Sequence, residues 1–84
     1  MATVVLTQEA ERDAERLPAV MVARVRKLLA RLRDWPAVSG VKALSGSLAG
    51  WYRVRTGDYR VRFYVKGQTV MVDKIGHRSK FYED

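Results

Sequence analysis

Apolar and polar residues in the first part of the chain change from a strand-like to a helix-like pattern. Residues 2–6 are a short, β-branched run that predicts a first strand. Thr7 predicts a helix N-cap, because its hydroxyl can accept a hydrogen bond from an unpaired N–H of the first helical turn. This helix is expected to run to Leu17. Pro18 separates it from a second helix, since proline fits the first turn of a helix and not its interior.

The second helix is predicted to have one apolar side and one basic side. Its apolar positions recur at helical spacing and are Met21, Val25, Leu28, Leu29 and Leu32. The basic residues fall elsewhere on the circumference and are Arg24, Arg26, Lys27, Arg31 and Arg33. Trp35 and Pro36 predict the end of this helix, and residues 38–50 predict a connection that contains Ser and Gly.

From Trp51 onward the period changes to two. Residues 51–55, 59–65 and 69–75 predict three strands joined by two tight turns near Gly57 and Gly67. The order β-α-α-β-β-β predicts a two-layer α+β fold, in which the N-terminal strand and a helical hairpin pack on a mainly antiparallel four-stranded sheet. We expect residues 1–84 to form a single domain.

The register of the predicted sheet decides which side chains share a face. Pairing Arg55 with Asp58 across the first turn keeps the apolar residues on one side and sets Arg53 opposite Arg60. The matching register across the second turn places Asp73 beside Arg60. The other face then carries Trp51, Arg53, Arg55, Arg60 and Arg62.

The chain is strongly basic for its size. Its 84 residues hold 16 Lys and Arg against 9 Asp and Glu, a net charge of +7, so polyanions are the expected partners. With no cysteine and one histidine, the sequence has no metal-site pattern, and no cofactor is expected. The longest nearly apolar stretch is far too short to span a membrane, which predicts a cytoplasmic protein with no membrane partner.

Arginines gathered on one sheet face repel each other unless an anion neutralises them. Guanidinium groups donate two parallel hydrogen bonds to phosphate oxygens and stay charged at any cellular pH, so this face is suited to phosphate. The alternative is a solvated sheet face in which Arg60 is paired with Asp73. The sequence leaves both interpretations open.

Four motifs of the C-terminal half resemble the RelE/ParE superfamily of bacterial and archaeal toxins from toxin–antitoxin pairs. They are residues 51–55 (WYRVR), 57–61 (GDYRV), 74–78 (KIGHR) and 81–82 (FY). The resemblance implies a toxin of the RelE kind: a metal-independent, ribosome-dependent endoribonuclease (mRNA interferase) that cuts mRNA in the ribosomal A site and inhibits translation. It also implies a cognate antitoxin protein as partner. In this chemistry the RNA 2′-hydroxyl attacks the neighbouring phosphate and the 5′-oxygen leaves.

The resemblance also implies a set of catalytic residues, which are Arg53, Arg55, Arg60, Arg78 and Tyr82. RelE-like sites often have lysine where this chain has Arg53 and Arg55, so no lysine base is available on that strand. We assign phosphate positioning and charge stabilisation to the three strand arginines and stabilisation of the leaving oxygen to Arg78. Tyr82 is assigned either proton transfer or stacking on a base, and His77 is the alternative acid or base. The expected RNA-binding set is Arg53, Arg55, Arg60, Arg62 and Lys80.

Two other functions fit the same resemblance. The ParE branch shares the fold but inhibits DNA gyrase, and it commonly lacks the full set of catalytic positions. A catalytically inactive homologue would use its basic face only to bind the antitoxin.

Overall fold

A computed structural model describes residues 1–81 as two helices packed on one face of a mixed sheet. The elements are β1 (Thr3–Leu6), α1 (Gln8–Glu15), α2 (Ala19–Arg31), β2 (Lys42–Ala43), β3 (Trp51–Thr56), β4 (Tyr59–Lys66) and β5 (Thr69–His77). Single 3-10 turns occupy Leu32–Asp34, Gly46–Leu48 and Arg78–Lys80. The predicted two-layer α+β class and the order of its elements are confirmed.

The sheet has five strands rather than the four predicted, in the order β1-β5-β4-β3-β2. β1 runs parallel to β5, and all other neighbours are antiparallel. The additional strand, β2, pairs Lys42 with Arg53 and Ala43 with Tyr52 at the sheet edge. A two-residue strand is too short to show a period of two, which is why the sequence pattern did not reveal it.

Thr7 caps α1 as predicted, because its Oγ1 accepts from the Ala10 N–H at 3.2 Å. The helix ends at Glu15, two residues before the predicted Leu17, and Pro18 occupies the cap position of α2. Within residues 1–81, no helix has the length and apolar character that a membrane span requires.

The core lies between the helices and the inner face of the sheet. Its innermost side chains, with 2% exposure or less, are Ala10, Val25, Leu28, Leu32, Val54, Val61, Phe63, Val70, Val72 and Ile75. Trp35 closes one end of this core, with its ring 4.8 Å from that of Tyr52 and 5.3 Å from that of Phe63. The helices therefore cover one sheet face, and the arginines of β3 and β4 occupy the other.

Both hairpin turns place glycine at the first central position, with φ of 58° at Gly57 and 62° at Gly67. A two-residue turn of this kind makes Thr56 the partner of Tyr59, so the register differs by two residues from the predicted one. A shift of two leaves every side chain on its predicted face but changes its partner. The prediction that Arg53 lies opposite Arg60 is therefore wrong, because Arg53 lies opposite Arg62.

A β-bulge in β5 changes the alternation of its side chains. Val72 lies opposite Phe63, but the next pair is Lys74 with Arg62, so Asp73 is the extra residue. The bulge brings Ile75 into the core opposite Val61. It also corrects the predicted pairing of Asp73 with Arg60, since Asp73 binds Arg62 instead.

A carboxylate on α1 links the helix layer to β5. The pairing of β1 with β5 ends at Val72, and beyond it the backbone N–H of Ile75 donates to Asp13 Oδ2 at 2.9 Å. The contact joins residues 62 positions apart in the chain. It fixes α1 over the segment of β5 that leads to Arg78.

Candidate nucleic-acid interface

The helix-free face of β3 and β4 carries four arginines, which we call the arginine face: Arg53, Arg55, Arg60 and Arg62. Side chains alternate along a strand, so the residues between the buried Val54, Val61 and Phe63 point away from the core. The predicted grouping of these side chains on one face is what the structure shows.

Directly opposite residues on this face carry like charges. Arg55 lies opposite Arg60, and Arg53 lies opposite Arg62 with Lys42 on its other side. Cross-strand neighbours have Cβ atoms about 5 Å apart, at which distance like charges are destabilising. An anion that binds among these side chains therefore reduces the repulsion and stabilises the folded protein.

An open depression of about 210 Å³ lies among these side chains. Its walls are Gly40, Lys42, Arg53, Val54, Arg55 and Arg60. Four of the six residues are cationic, and none is acidic. The size and charge of this depression suit a phosphate group rather than an apolar ligand.

Arg60 has a guanidinium nitrogen that is both buried and, among the described residues, unsatisfied. Its Nη1 atom is buried and has no hydrogen-bond partner within residues 1–81. Burial of the guanidinium lowers the pKa of Arg60, and the charges of Arg53, Arg55 and Arg78 lower it further, while Asp58 acts in the opposite direction. The group remains charged at cellular pH, since an arginine pKa begins so far above that range.

Arg62 is held by a carboxylate of the neighbouring strand. Its Nε and Nη2 donate to the two carboxylate oxygens of Asp73 at 3.0 and 2.8 Å. Its guanidinium also lies 5.3 Å from the centre of the Trp51 ring. Because Asp73 neutralises part of its charge, Arg62 is less available to bind a phosphate than the sequence pattern suggested.

Arg78 reaches the same region from the far end of β5. Its backbone N–H donates to the carbonyl of Asp58 in the β3–β4 turn at 2.8 Å. Its side chain is exposed, and its charge acts on Arg60. The structure thus brings Arg53, Arg55, Arg60 and Arg78 together at one end of the sheet.

The segment after Arg78 folds back over β5. Gly76, opposite Arg60, has no side chain, and a Cβ there would lie 3.4 Å from Lys80 Cδ and 3.9 Å from Phe81 Cε1. Phe81 is buried, and the Lys74 ammonium lies 4.6 Å from its ring centre. Lys80 is exposed at this margin, and Tyr82 lies outside the described residues.

His77 is not on the arginine face. It lies opposite Tyr59, whose ring it meets edge-on at 5.6 Å, on the side of the sheet that the helices cover. Its Nδ1 accepts from the Ser79 N–H at 3.2 Å and lies 3.0 Å from Ser79 Oγ. This imidazole caps the final 3-10 turn.

A family model described as the ParE toxin of the type II toxin–antitoxin system parDE matches residues 4–82, nearly the whole chain. The chain belongs to this toxin family. The resemblance to the RelE/ParE superfamily is thereby confirmed. The toxin is also 23% identical over 75 residues to Toxin RelE3 of Methanocaldococcus jannaschii, a match that covers 86% of this chain and 85% of that relative.

Solved toxin structures have the same fold. A chain of the toxin–antitoxin complex RelBE2 from Mycobacterium tuberculosis superposes with a TM-score of 0.80 at 29% identity, covering 92% of this toxin and 98% of that chain. The isolated RelE toxin of E. coli gives a TM-score of 0.75 at 16% identity, covering 92% and 84% of the two chains.

The sequence pattern missed two cations that the toxin places beside the arginine face, Lys42 and Lys74. Lys42 lies opposite Arg53 on the short β2 strand, and Lys74 lies opposite Arg62 because of the bulge. The signal for the bulge was present, since the apolar residues Val70, Val72 and Ile75 depart from a spacing of two. Among residues 1–81, no three His, Asp or Glu side chains converge as ligands of a metal would.

Proposed function

We propose that this toxin is a metal-independent, ribosome-dependent endoribonuclease that cleaves mRNA and so inhibits translation. The observation that supports the proposal is the clustering of Arg53, Arg55 and Arg60 around one depression, where the charge of Arg78 also acts on Arg60. One buried Arg60 nitrogen there has no hydrogen-bond partner within residues 1–81. Hydrogen-bond donors that are held in place before the substrate arrives are suited to stabilising charge that develops in a transition state.

In the proposed reaction the ribose 2′-oxygen attacks the adjacent phosphorus and the P–O5′ bond breaks. The products are a 2′,3′-cyclic phosphate and a 5′-hydroxyl end. One proton leaves the 2′-hydroxyl and one is supplied to the 5′-oxygen, while negative charge accumulates on the phosphate oxygens. Arg53, Arg55 and Arg60 position and neutralise these oxygens, and Arg78 stabilises the leaving oxygen.

Proton transfer in this proposal is assigned to Tyr82 rather than to His77. His77 points to the helix-covered side, and its Nδ1 is occupied by the Ser79 N–H. Tyr82 follows the segment that folds over Gly76, which lies directly opposite Arg60. A Tyr82→Phe variant is therefore expected to lose more activity than a His77→Gln variant.

Cleavage of mRNA on programmed ribosomes, mapped by primer extension, tests the proposal. We expect the wild type to cut within the A-site codon and the double variant Arg60→Ala/Arg78→Ala to be slower by at least about 100-fold, since one such charge-stabilising donor contributes about that much to a rate. The double variant Arg26→Ala/Arg33→Ala removes the same charge far from the face and should cut normally. Absence of cleavage by the wild type, or full cleavage by the first variant, contradicts the proposal.

A second candidate function is inhibition of DNA gyrase, which the match to the ParE family model favours. The presence of arginine rather than lysine at positions 53 and 55 fits this alternative as well, because it removes a potential lysine base. Inhibition of gyrase supercoiling by the purified toxin, with mRNA left intact on the ribosome, would select this function.

The proposed protein partner is a cognate antitoxin with an acidic segment. The family model describes a toxin–antitoxin system, and the similar M. tuberculosis structure is a toxin–antitoxin complex. A net charge of +7 and like charges opposite each other on the sheet favour a ligand that carries carboxylates. The same face would then be blocked to RNA while the antitoxin is bound.

A further inference from the structure

A second basic surface lies between α2 and the edge of β3, and we call it the α2 groove. It is an open recess of about 250 Å³ lined by Arg24, Lys27, Leu28, Arg31, Arg55 and Thr56. Four of these six residues are cationic, and α2 has no acidic residue to neutralise them. The proposed catalytic role does not use its three helix cations.

The three helix cations are aligned by their spacing. Residues 24, 27 and 31 fall on one side of a helix of 3.6 residues per turn, beside the buried row that contains Val25 and Leu28. At a rise of about 1.5 Å per residue, they extend over roughly 10 Å along the helix axis. A stacked nucleic-acid strand advances about 3.4 Å per nucleotide, so this row spans about three nucleotides.

Two of these cations have no protein partner that would compete with an anion. Within residues 1–81, neither the Arg24 side chain nor the Lys27 side chain forms a hydrogen bond or an ion pair. Arg31 is held at the other end, because its Nη2 donates to the carbonyl of Ser39 at 2.8 Å and to Ser39 Oγ at 3.1 Å. The groove therefore combines one positioned guanidinium with two unpaired cations.

The α2 groove is continuous with the arginine face. Arg55 lines both recesses. Arg24 also reaches the β3–β4 turn, where its Nη1 lies 3.7 Å from the position that a Cβ would take at Gly57. A strand that leaves the Arg60 depression along Arg55 therefore meets the α2 cations next.

We propose that the α2 groove binds the sugar–phosphate backbone of the RNA segment flanking the cleaved bond. The inference rests on the proposed nuclease function and adds to it a binding track outside the reacting phosphate. The contacts are to phosphates, so the track increases affinity and positions the strand without selecting a base sequence. Proteins that bind single-stranded nucleic acids commonly hold the sugar–phosphate backbone along a positively charged groove of this kind.

The test uses RNAs that carry a 2′-O-methyl group at the cleavable position, so that binding is measured without reaction. One is about three nucleotides long and fills only the Arg60 depression, and the other is about ten nucleotides long. The variant Arg24→Gln/Lys27→Gln is compared with the control Arg26→Gln/Arg33→Gln, which removes the same charge. Arg26 and Arg33 are exposed and do not line the groove.

We expect the groove variant to bind the longer RNA about tenfold more weakly and the short RNA as the wild type does. The slope of log affinity against log salt should fall by about 1.4 for the longer RNA, since each lost phosphate contact on a single strand contributes about 0.7. The control variant should keep most of the affinity and slope.

Equal losses in both variants, or no loss in the groove variant, would overturn the proposal. Binding of polyglutamate is measured in parallel. A groove variant that loses affinity for polyglutamate but not for RNA would also overturn the proposal, because the groove would then be a protein-binding surface. The two proposals fail separately: a wild type that does not cleave but binds long RNA through Arg24 and Lys27 refutes the nuclease alone. A wild type that cleaves, with a groove variant that binds normally, refutes the groove alone.

Discussion

The guanidinium of Arg60 meets two unfavourable conditions at once. One of its nitrogens is buried without a hydrogen-bond partner among residues 1–81, and Arg55 lies directly across the sheet from it. Each condition favours loss of charge, which is why the pKa of Arg60 is lowered. A residue retained in such a position is typical of sites where binding or catalysis is achieved at the expense of stability.

Replacing Arg60 with Gln is accordingly expected to stabilise the free toxin by about 1 kcal/mol, since an unsatisfied buried donor costs about that much or more. The same variant should lose its activity, because the charge that neutralises the phosphate is gone. Urea unfolding followed by circular dichroism measures the first effect, and the ribosome cleavage assay measures the second.

Arg26→Gln is the matched control for that measurement. It removes one positive charge from an exposed position of α2, and its free energy of unfolding should stay within about 0.5 kcal/mol of the wild type. An Arg60→Gln protein that is less stable than this control would show that Arg60 stabilises the fold, and it would refute the view that Arg60 is retained at a cost to stability.

At the scale of single elements, the link between α1 and β5 positions the end of β5. Asp13 accepts from the Ile75 N–H, three residues before Arg78, and Arg78 in turn donates to the β3–β4 turn. α1 is only eight residues long, too short to be stable alone in water. The carboxylate therefore stabilises both the helix position and the strand end.

Asp13→Ala is expected to reduce the free energy of unfolding by about 1–2 kcal/mol, because it leaves the Ile75 N–H without an acceptor. Asp13→Asn keeps an oxygen acceptor and should lose less. Glu15→Ala provides the control, since it removes an equal charge from an exposed position of the same helix. Equal stability of Asp13→Ala and Glu15→Ala in urea unfolding would contradict the proposed link.

In the sheet, the sequence pattern predicted the face of each side chain but not its partner on the next strand. The alternation from Trp51 onward was enough to predict which side chains share a face, because a shift of two residues preserves the face. It was not enough to predict the partners, since these depend on whether glycine takes the first or second central position of the turn. Gly57 takes the first position, and the pairs of Arg53 and Arg55 follow from that.

The candidate site was predictable to a similar degree. The arginine face followed from alternation, but the neutralisation of Arg62 by Asp73 and the arrival of Lys74 beside it required the bulge. Likewise, the side of the sheet on which His77 lies depends on the bulge, because one extra residue reverses the alternation that follows. The role of Tyr82 stays a prediction, as that residue lies outside the described part of the chain.

At the scale of the whole molecule, positive charge covers two continuous surfaces, the arginine face and the α2 groove. The chain carries a net charge of +7, and Asp73 pairs with one cation of the arginine face, Arg62. An anion that binds the folded toxin and not the unfolded chain should raise its stability by mass action.

Inorganic pyrophosphate at low millimolar concentration is expected to raise the Tm of the wild type by several degrees. An anion at ten times its Kd stabilises by about 1.4 kcal/mol, and a domain of this size gains about 4–8 °C per kcal/mol. Differential scanning fluorimetry against NaCl of equal ionic strength measures the shift, and Arg60→Ala/Arg78→Ala should respond much less. An equal response from both proteins would mean that the anion is not bound at this face.

The single extra residue in β5 allows one strand to meet two separate geometric demands. The portion up to Val72 pairs with β1 and packs into the core. The portion from Lys74 lies beyond β1, places Lys74 beside Arg62 and Gly76 beside Arg60, and still sends Ile75 into the core. Asp73 is an extra residue that interrupts the alternation of side chains along β5. The side-chain directions in one portion therefore do not determine those in the other. Substitutions that retune the outer surface of residues 74–78 can therefore accumulate without disturbing the part of the strand that closes the hydrophobic interior.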